Sequence, residues 1–231
     1  MATIEAYYAA LAQMRGISPL WLLGFVIILF SLCVHESAHA IVSYWGGDDT
    51  ARGLGRITLN PISHIDLVGT ILLPLVSRST GVPLIGWAKP VPVVPHNLKS
   101  SLWMVWVAGA GPFSNVMLAL VAGFWMKVSM MVMGADLPGA VIAVLYYFIV
   151  INLSLATFNM IPVPPLDGSK FLFHMVFQGK PHLFPVWEFL ERFGFILIYG
   201  IILIPQTSRF ISKVVLFLMN LISKLYGLDY L

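Results

Sequence analysis

The chain has 231 residues, 59% of them hydrophobic and only 10% charged, with a mean hydropathy of +0.89. That composition excludes an ordinary soluble domain, and the length favours one domain over 1–231. The net charge of +3 is small and scattered, which excludes a nucleic-acid footprint and leaves the basic residues to orient the chain in a lipid bilayer.

The opening stretch, IEAYYAALAQM, suits either a short interfacial helix anchored by Tyr7 and Tyr8 or a frayed turn. No cleavable signal peptide is expected, because the first apolar run leads directly into chemically useful residues. That run, Leu20 to Val34, contains no charged side chain and opens a first membrane span over about 19–44. His35, Glu36 and His39 follow it as an H-E-x-x-H motif. Positions i and i+4 share a helix face, so both histidines can reach one metal ion, and Glu36 can take a proton from a water beside it. Ionisable groups are costly inside a membrane, which makes these three functional candidates; a pair of hydrogen-bonded core histidines is the plainer alternative. Cys33, the single cysteine, excludes an internal disulfide and reads as packing.

Residues 46–101 differ in kind. They hold five of the thirteen basic residues (Arg52, Arg56, Arg78, Lys89, Lys99), together with Asp48, Asp49 and clusters of Gly and Pro. Asp48 and Asp49 read as solvated turn residues. The apolar piece Leu67–Val76 is too short to cross and reads as re-entrant or interfacial. In Gly86–Pro95, prolines at 90, 92 and 95 forbid helix, while Val91, Val93 and Val94 suit an extended strand. Lys89, Pro90, Val91, Pro92 and Val93 are therefore expected either to meet a substrate backbone by strand addition or to form a plain loop. The basic content places this region, and the H-E-x-x-H end of the first span, on the cytoplasmic side.

Four further spans are expected at about 102–126, 139–161, 184–205 and 210–226. The fold class is thus an all-α membrane protein: a polytopic bundle of about five transmembrane helices with a re-entrant/β-hairpin insertion after the first. In the second span, Asn115 follows Ala108, Gly109, Ala110 and Gly111, whose small side chains let a neighbouring helix approach. Asn159 precedes a proline-rich break. Either asparagine could bond between helices, or could hold a substrate carbonyl or oxyanion.

A catalytic zinc site usually takes three protein ligands. Asp167 is the best partner for the two histidines: it lies in NMIPVPPLDG (159–168), where Pro162, Pro164 and Pro165 end a helix at membrane depth. Asp66 and His64 remain alternatives, and an Asp in a surface turn is the plainer reading of Asp167.

Taken together, HESAH (35–39), GWAKPVPV (86–93), GPFSN (111–115) and NMIPVPPLDG (159–168) resemble the site-2 protease family of intramembrane zinc metalloproteases. NPISHIDLVGTILLP (60–74) is similar to the re-entrant portion of its minimal members, and the likeness spans about 18–178. The resemblance implies one Zn2+ per chain held by His35, His39 and Asp167, with Glu36 as catalytic base. It implies a transmembrane protein as substrate, a multi-pass location in the cell membrane and an active site toward the cytoplasm. The core would be 18–178, with two additional C-terminal helices over 184–226. A regulatory membrane partner fits this picture; the sequence does not indicate an oligomeric state. The chain departs from the family in having Met160 after Asn159 where Pro is usual. The helix preceding the H-E-x-x-H helix in many relatives is absent or reduced to the N-terminal segment, and no stretch suits a PDZ or CBS domain. The rival reading is a metal-ion or proton transporter using the same His/Glu/Asp cluster, although the later spans offer few groups for a relay.

Overall fold

The structure, a computed structural model, describes residues 19–80, 86–134 and 137–228. The Tyr7–Tyr8 segment lies outside them. The described residues form eight α-helices joined by short 3-10 and π-helical turns: α1 (Pro19–Trp45), α2 (Thr50–Gly53), α3 (Leu73–Thr80), α4 (Leu102–Met133), α5 (Gly139–Asn159), α6 (Gly168–Leu172), α7 (Phe184–Leu203) and α8 (Pro205–Tyr226).

Three of these, α1, α4 and α5, are long and apolar enough to cross a membrane. Their 27, 32 and 21 residues exceed the ~20 that a bilayer core requires. At 1.5 Å per residue α4 is about 48 Å long, so it runs past the expected end at 126 to Met133. Large apolar side chains such as Val26, Trp106 and Phe113 face outward, as lipid contact demands, because lipid tails solvate them as well as a protein core does.

Five spans are expected from the sequence, and three helices have the length and composition to cross. α7 and α8 are full-length helices, but Glu188, Glu191 and Arg192 sit in the first half of α7, and Arg209, Lys213 and Lys224 along α8. Charged side chains at that density are costly at membrane depth. Glu188 and Glu191 are exposed.

No β-strand occurs among the described residues, so the expected β-hairpin insertion is replaced by something simpler. Leu67–Leu72 forms a π-helical turn that runs into α3, giving a helix too short to span. Gly86–Val94 is extended but joins no ladder. With Pro90, Pro92 and Pro95 lacking N–H groups, it cannot donate the regular series that a strand partner needs.

Packing centres on α4, which lies between α1 and α5 and also meets α8. Ala119, Ala122 and Met126 of α4, Ile149, Val150 and Leu153 of α5, and Val215, Met219 and Ile222 of α8 form the buried apolar core. Small residues set the spacing: a Cβ on Gly123 would lie 2.7 Å from Ile222 Cγ2, a close approach typical of helix pairs in membranes. The other half of the α1–α4–α5 interface is polar, and there the site is built.

A candidate metal centre

α1 carries His35 and His39 one turn apart, at 4% and 8% exposure. His39 Nδ1 lies 2.6 Å from the Val107 carbonyl oxygen of α4. A carbonyl only accepts, so Nδ1 holds the proton and donates, leaving Nε2 as a bare lone pair. His35 Nδ1 lies 2.6 Å from Asn115 Oδ1, also on α4. Both outer nitrogens are thus engaged, and the inner ones converge: Nε2 to Nε2 is 3.1 Å.

Asp167 completes the group from the far side. Its Oδ2 lies 3.1 Å from His35 Nε2 and 3.3 Å from His39 Nε2, so one donor atom from each of the three residues lies within 4.8 Å of the others. The residue occupies the N-cap position of α6 but makes no capping hydrogen bond. Its buried Oδ2 has no hydrogen-bond donor. Three lone-pair-bearing atoms facing one another without a proton repel; a divalent cation between them removes the conflict. The residues therefore fit a metal on their own geometry.

Two glycines permit this approach. A Cβ on Gly111 would stand 2.5 Å from the rings of both histidines, so only glycine lets α4 pass beside them. A Cβ on Gly168 would collide with Met160 O at 2.2 Å, where the proline-rich turn folds back on the end of α5. That fold-back brings the Asp167 carboxylate under α1.

Glu36, 9% exposed, points to the other wall. Its Oε2 accepts the Val91 N–H at 2.9 Å. The Gly86–Val94 strap that supplies this amide is fastened along its length. Trp87 N–H donates to Gly69 O (3.2 Å) and Lys89 N–H to His64 O (2.8 Å). Thr70 Oγ1 donates to Trp87 O at 2.8 Å, and the Arg56 guanidinium to Lys89 O. Val94 N–H donates to Asp48 Oδ2 at 2.7 Å. Pro90 and Pro92 have no N–H, so Gly86, Ala88 and Val93 hold the strap amides outside these contacts.

Asp48 differs from the solvated turn residue expected. It is fully buried and also accepts from Thr50 and Asn97. Burial pushes its carboxyl up, but the hydrogen bonds from Thr50, Val94 and Asn97 outweigh that and hold it below the usual carboxylate range.

Other candidates fall elsewhere. Asp66 caps the Leu67–Leu72 turn by accepting from Val68 and Gly69, and His64 Nε2 lies 2.8 Å from Thr58 O; neither belongs to the His/His/Asp group. Asn159 Nδ2 donates back to Leu155 O at 3.0 Å. Asn115 is fully buried and both its polar ends are engaged, Oδ1 with His35 Nδ1 and Nδ2 donating to Asn152 Oδ1 at 2.9 Å. Cys33 is buried and free. Asn152, Arg56 and the Val107 carbonyl were not singled out from the sequence. An asparagine amid Ile149, Val150, Ile151 and Leu153 is the one signal that was there to be read.

Apolar spanning helices that enclose two imidazoles and a carboxylate, with a second carboxylate alongside, define a membrane protein with a hydrolytic type of metal centre. The chain belongs to peptidase family M50. The profile of that family matches residues 126–201, a segment that contains Asp167 but not His35. Among curated relatives, "Putative zinc metalloprotease YwhC" of Bacillus subtilis is 38% identical over 197 residues, covering 82% of this chain and 85% of the relative. "Putative zinc metalloprotease Rip2" of Mycolicibacterium smegmatis is 28% identical over 217 residues, covering 86% and 75%. The Mycobacterium tuberculosis protein of the same name (strain H37Rv) is 25% identical over 229 residues, covering 94% and 83%. No solved structure matches the chain significantly.

Proposed function

We propose that this chain is an intramembrane zinc metalloprotease that hydrolyses peptide bonds in or near the transmembrane segments of other membrane proteins. The observation that carries the reading is the convergence of His35 Nε2, His39 Nε2 and Asp167 Oδ2 as three lone pairs within 4.8 Å. Family membership and the names of the relatives support zinc as the ion. When bound, zinc acidifies water and polarises a carbonyl.

The chain's own residues supply the rest. His35, His39 and Asp167 hold the ion. Glu36 takes the proton from the attacking water and returns it to the departing amine. The Val91 N–H holds the Glu36 carboxylate in place between turnovers. A helical substrate hides its backbone amides, so it must unwind. The unwound stretch lies against Lys89, Pro90, Val91, Pro92 and Val93, donating its own N–H groups to strap carbonyls, since the prolines donate none. Asn159, at the end of α5, is the remaining candidate to hold a substrate carbonyl.

The finer architecture is part of the same proposal. α7 and α8 complete a five-helix membrane bundle, and 1–231 forms one peptidase domain with 18–178 as its core. The protein sits in the cell membrane with its site toward the cytoplasm, supported by the five basic residues of 46–101. Its partners are a transmembrane substrate and a regulatory membrane protein. A transporter is not favoured, because the chain belongs to a peptidase family.

The test uses protein purified in detergent. Bound zinc is measured, and cleavage of a transmembrane substrate is compared for wild type and Glu36→Gln. One zinc in both, with cleavage only by wild type, supports the reading. Zinc in both with cleavage in neither would sink it.

A further inference from the structure

We infer that Asn152 is a positioning residue for His35: through Asn115 it holds the imidazole in the tautomer that turns the Nε2 lone pair toward the metal. This rests on the zinc reading above. It adds a third helix, α5, to the support of a ligand on α1.

The hydrogen-bond relay starts at a backbone atom. Asn152 Nδ2 lies 2.9 Å from Phe148 O. A carbonyl oxygen only accepts, so the nitrogen end of the Asn152 amide faces it. The oxygen end then faces Asn115, and accepts its Nδ2–H at 2.9 Å. That settles the Asn115 amide in turn, leaving its Oδ1 2.6 Å from His35 Nδ1. An amide oxygen also only accepts, so Nδ1 must carry the proton. Every member is buried, Asn115 and Asn152 at 0% exposure and His35 at 4%, which shields the links from bulk solvent.

His39 reaches the same tautomer in one step, because its Nδ1 meets the Val107 carbonyl directly. His35 has only a side-chain amide as its partner, and an amide can rotate. Turned the other way, Asn115 would offer Nδ2–H to His35 Nδ1 and favour a proton on Nε2, where the metal belongs. Asn152 removes that alternative. An outer partner of a metal-ligating histidine typically carries 10–100-fold in metal affinity.

The experiment measures zinc affinity in detergent by chelator competition, and the histidine tautomers of zinc-free protein by 15N spectroscopy. The wild type should bind zinc and show His35 as Nδ1–H. Asn152→Leu, close in size but without an acceptor, should lose about 10–100-fold in zinc affinity and no longer hold one tautomer. Asn152→Asp should keep both properties. A neutral carboxyl copies the amide there, its hydroxyl donating to Phe148 O and its carbonyl accepting from Asn115. Wild-type zinc affinity in Asn152→Leu overturns the inference, as does Nε2–H at His35 in the wild type. If Asn152→Leu does not fold, loss of zinc by Asn152→Asp has the same consequence. A wild type that binds no zinc defeats the metal reading instead, while the wild-type spectrum still decides the relay.

Discussion

The backbone N–H of Val91 donates to Glu36 Oε2 across 2.9 Å, joining residues 55 positions apart in the chain. The carboxylate next to the histidine pair is thereby tied to the extended strap rather than to its own helix. Glu36→Gln preserves an acceptor for Val91 but removes the proposed base. Peptide cleavage should fall by about 10²–10⁴-fold, the usual contribution of general base catalysis, while zinc content stays unchanged. Val91→Pro does the opposite, leaving the carboxylate and deleting the donor. A hydrogen bond to a charged group contributes about 1.5–3 kcal/mol, so turnover should drop roughly tenfold or more at constant zinc content. Equal turnover in Val91→Pro and wild type would remove the strap from the mechanism.

Gly111 and Gly109 make a matched pair. A Cβ at Gly111 would lie 2.5 Å from both imidazoles, whereas one at Gly109 would meet only Phe171 Cζ at 3.3 Å. Gly111→Ala should weaken zinc binding on the order of 100-fold by displacing the ligands, a loss comparable with removing an outer-sphere partner. Gly109→Ala should leave it near wild type. Chelator competition on the two proteins, with thermal unfolding as a control, reads the difference.

Asp167 is the proposed ligand delivered from furthest along the chain. Asp167→Ala should lower zinc occupancy in purified protein, while Asp66→Ala and His64→Ala should not. Elemental analysis of the three variants decides among the acids and imidazoles left open by the sequence. Full zinc in Asp167→Ala would move the ligand role elsewhere.

Asp48 gives the strap a pH dependence. Its folded pKa lies below the ordinary value, which is about 3.9 for an unfolded Asp. The stabilisation is therefore complete above that value, and is lost as pH falls through the lower, folded one. Hydrogen-exchange protection of the Val94 amide, corrected for intrinsic rates, should hold from neutral pH to about 4 and decline below it. In Asp48→Asn it should be weaker throughout, without that decline. Parallel curves for the two proteins would contradict the assignment.

Much of the site was visible in one dimension because its parts are local patterns. The i, i+4 spacing of His35 and His39 needs only a helix to share a face, and α1 is an uninterrupted one. Pro162, Pro164 and Pro165 likewise stop α5 without reference to anything distant. Contacts that rest on side-chain direction leave no such local pattern. Asp48 looks like a turn residue beside Gly46 and Gly47, yet a strap nearly fifty positions away encloses it. The segment at 86–95 has the valines of a strand, but its hydrogen bonds go to Gly69, His64, Thr70, Arg56 and Glu36 instead of a neighbouring strand.

By itself the sequence determined that the chain is apolar enough for a membrane, that two histidines lie on one face of its first helix, and that Asp167 follows a broken one. These follow from composition and short-range backbone rules. Only the tertiary structure decided that Asp167 reaches those histidines, that Asn115 faces His35, and that Val91 N–H meets Glu36. The second contact depends on how closely α4 passes α1, and hence on Gly111 having no Cβ. Such a contact forms between residues scores of positions apart, and no periodicity along the chain encodes it.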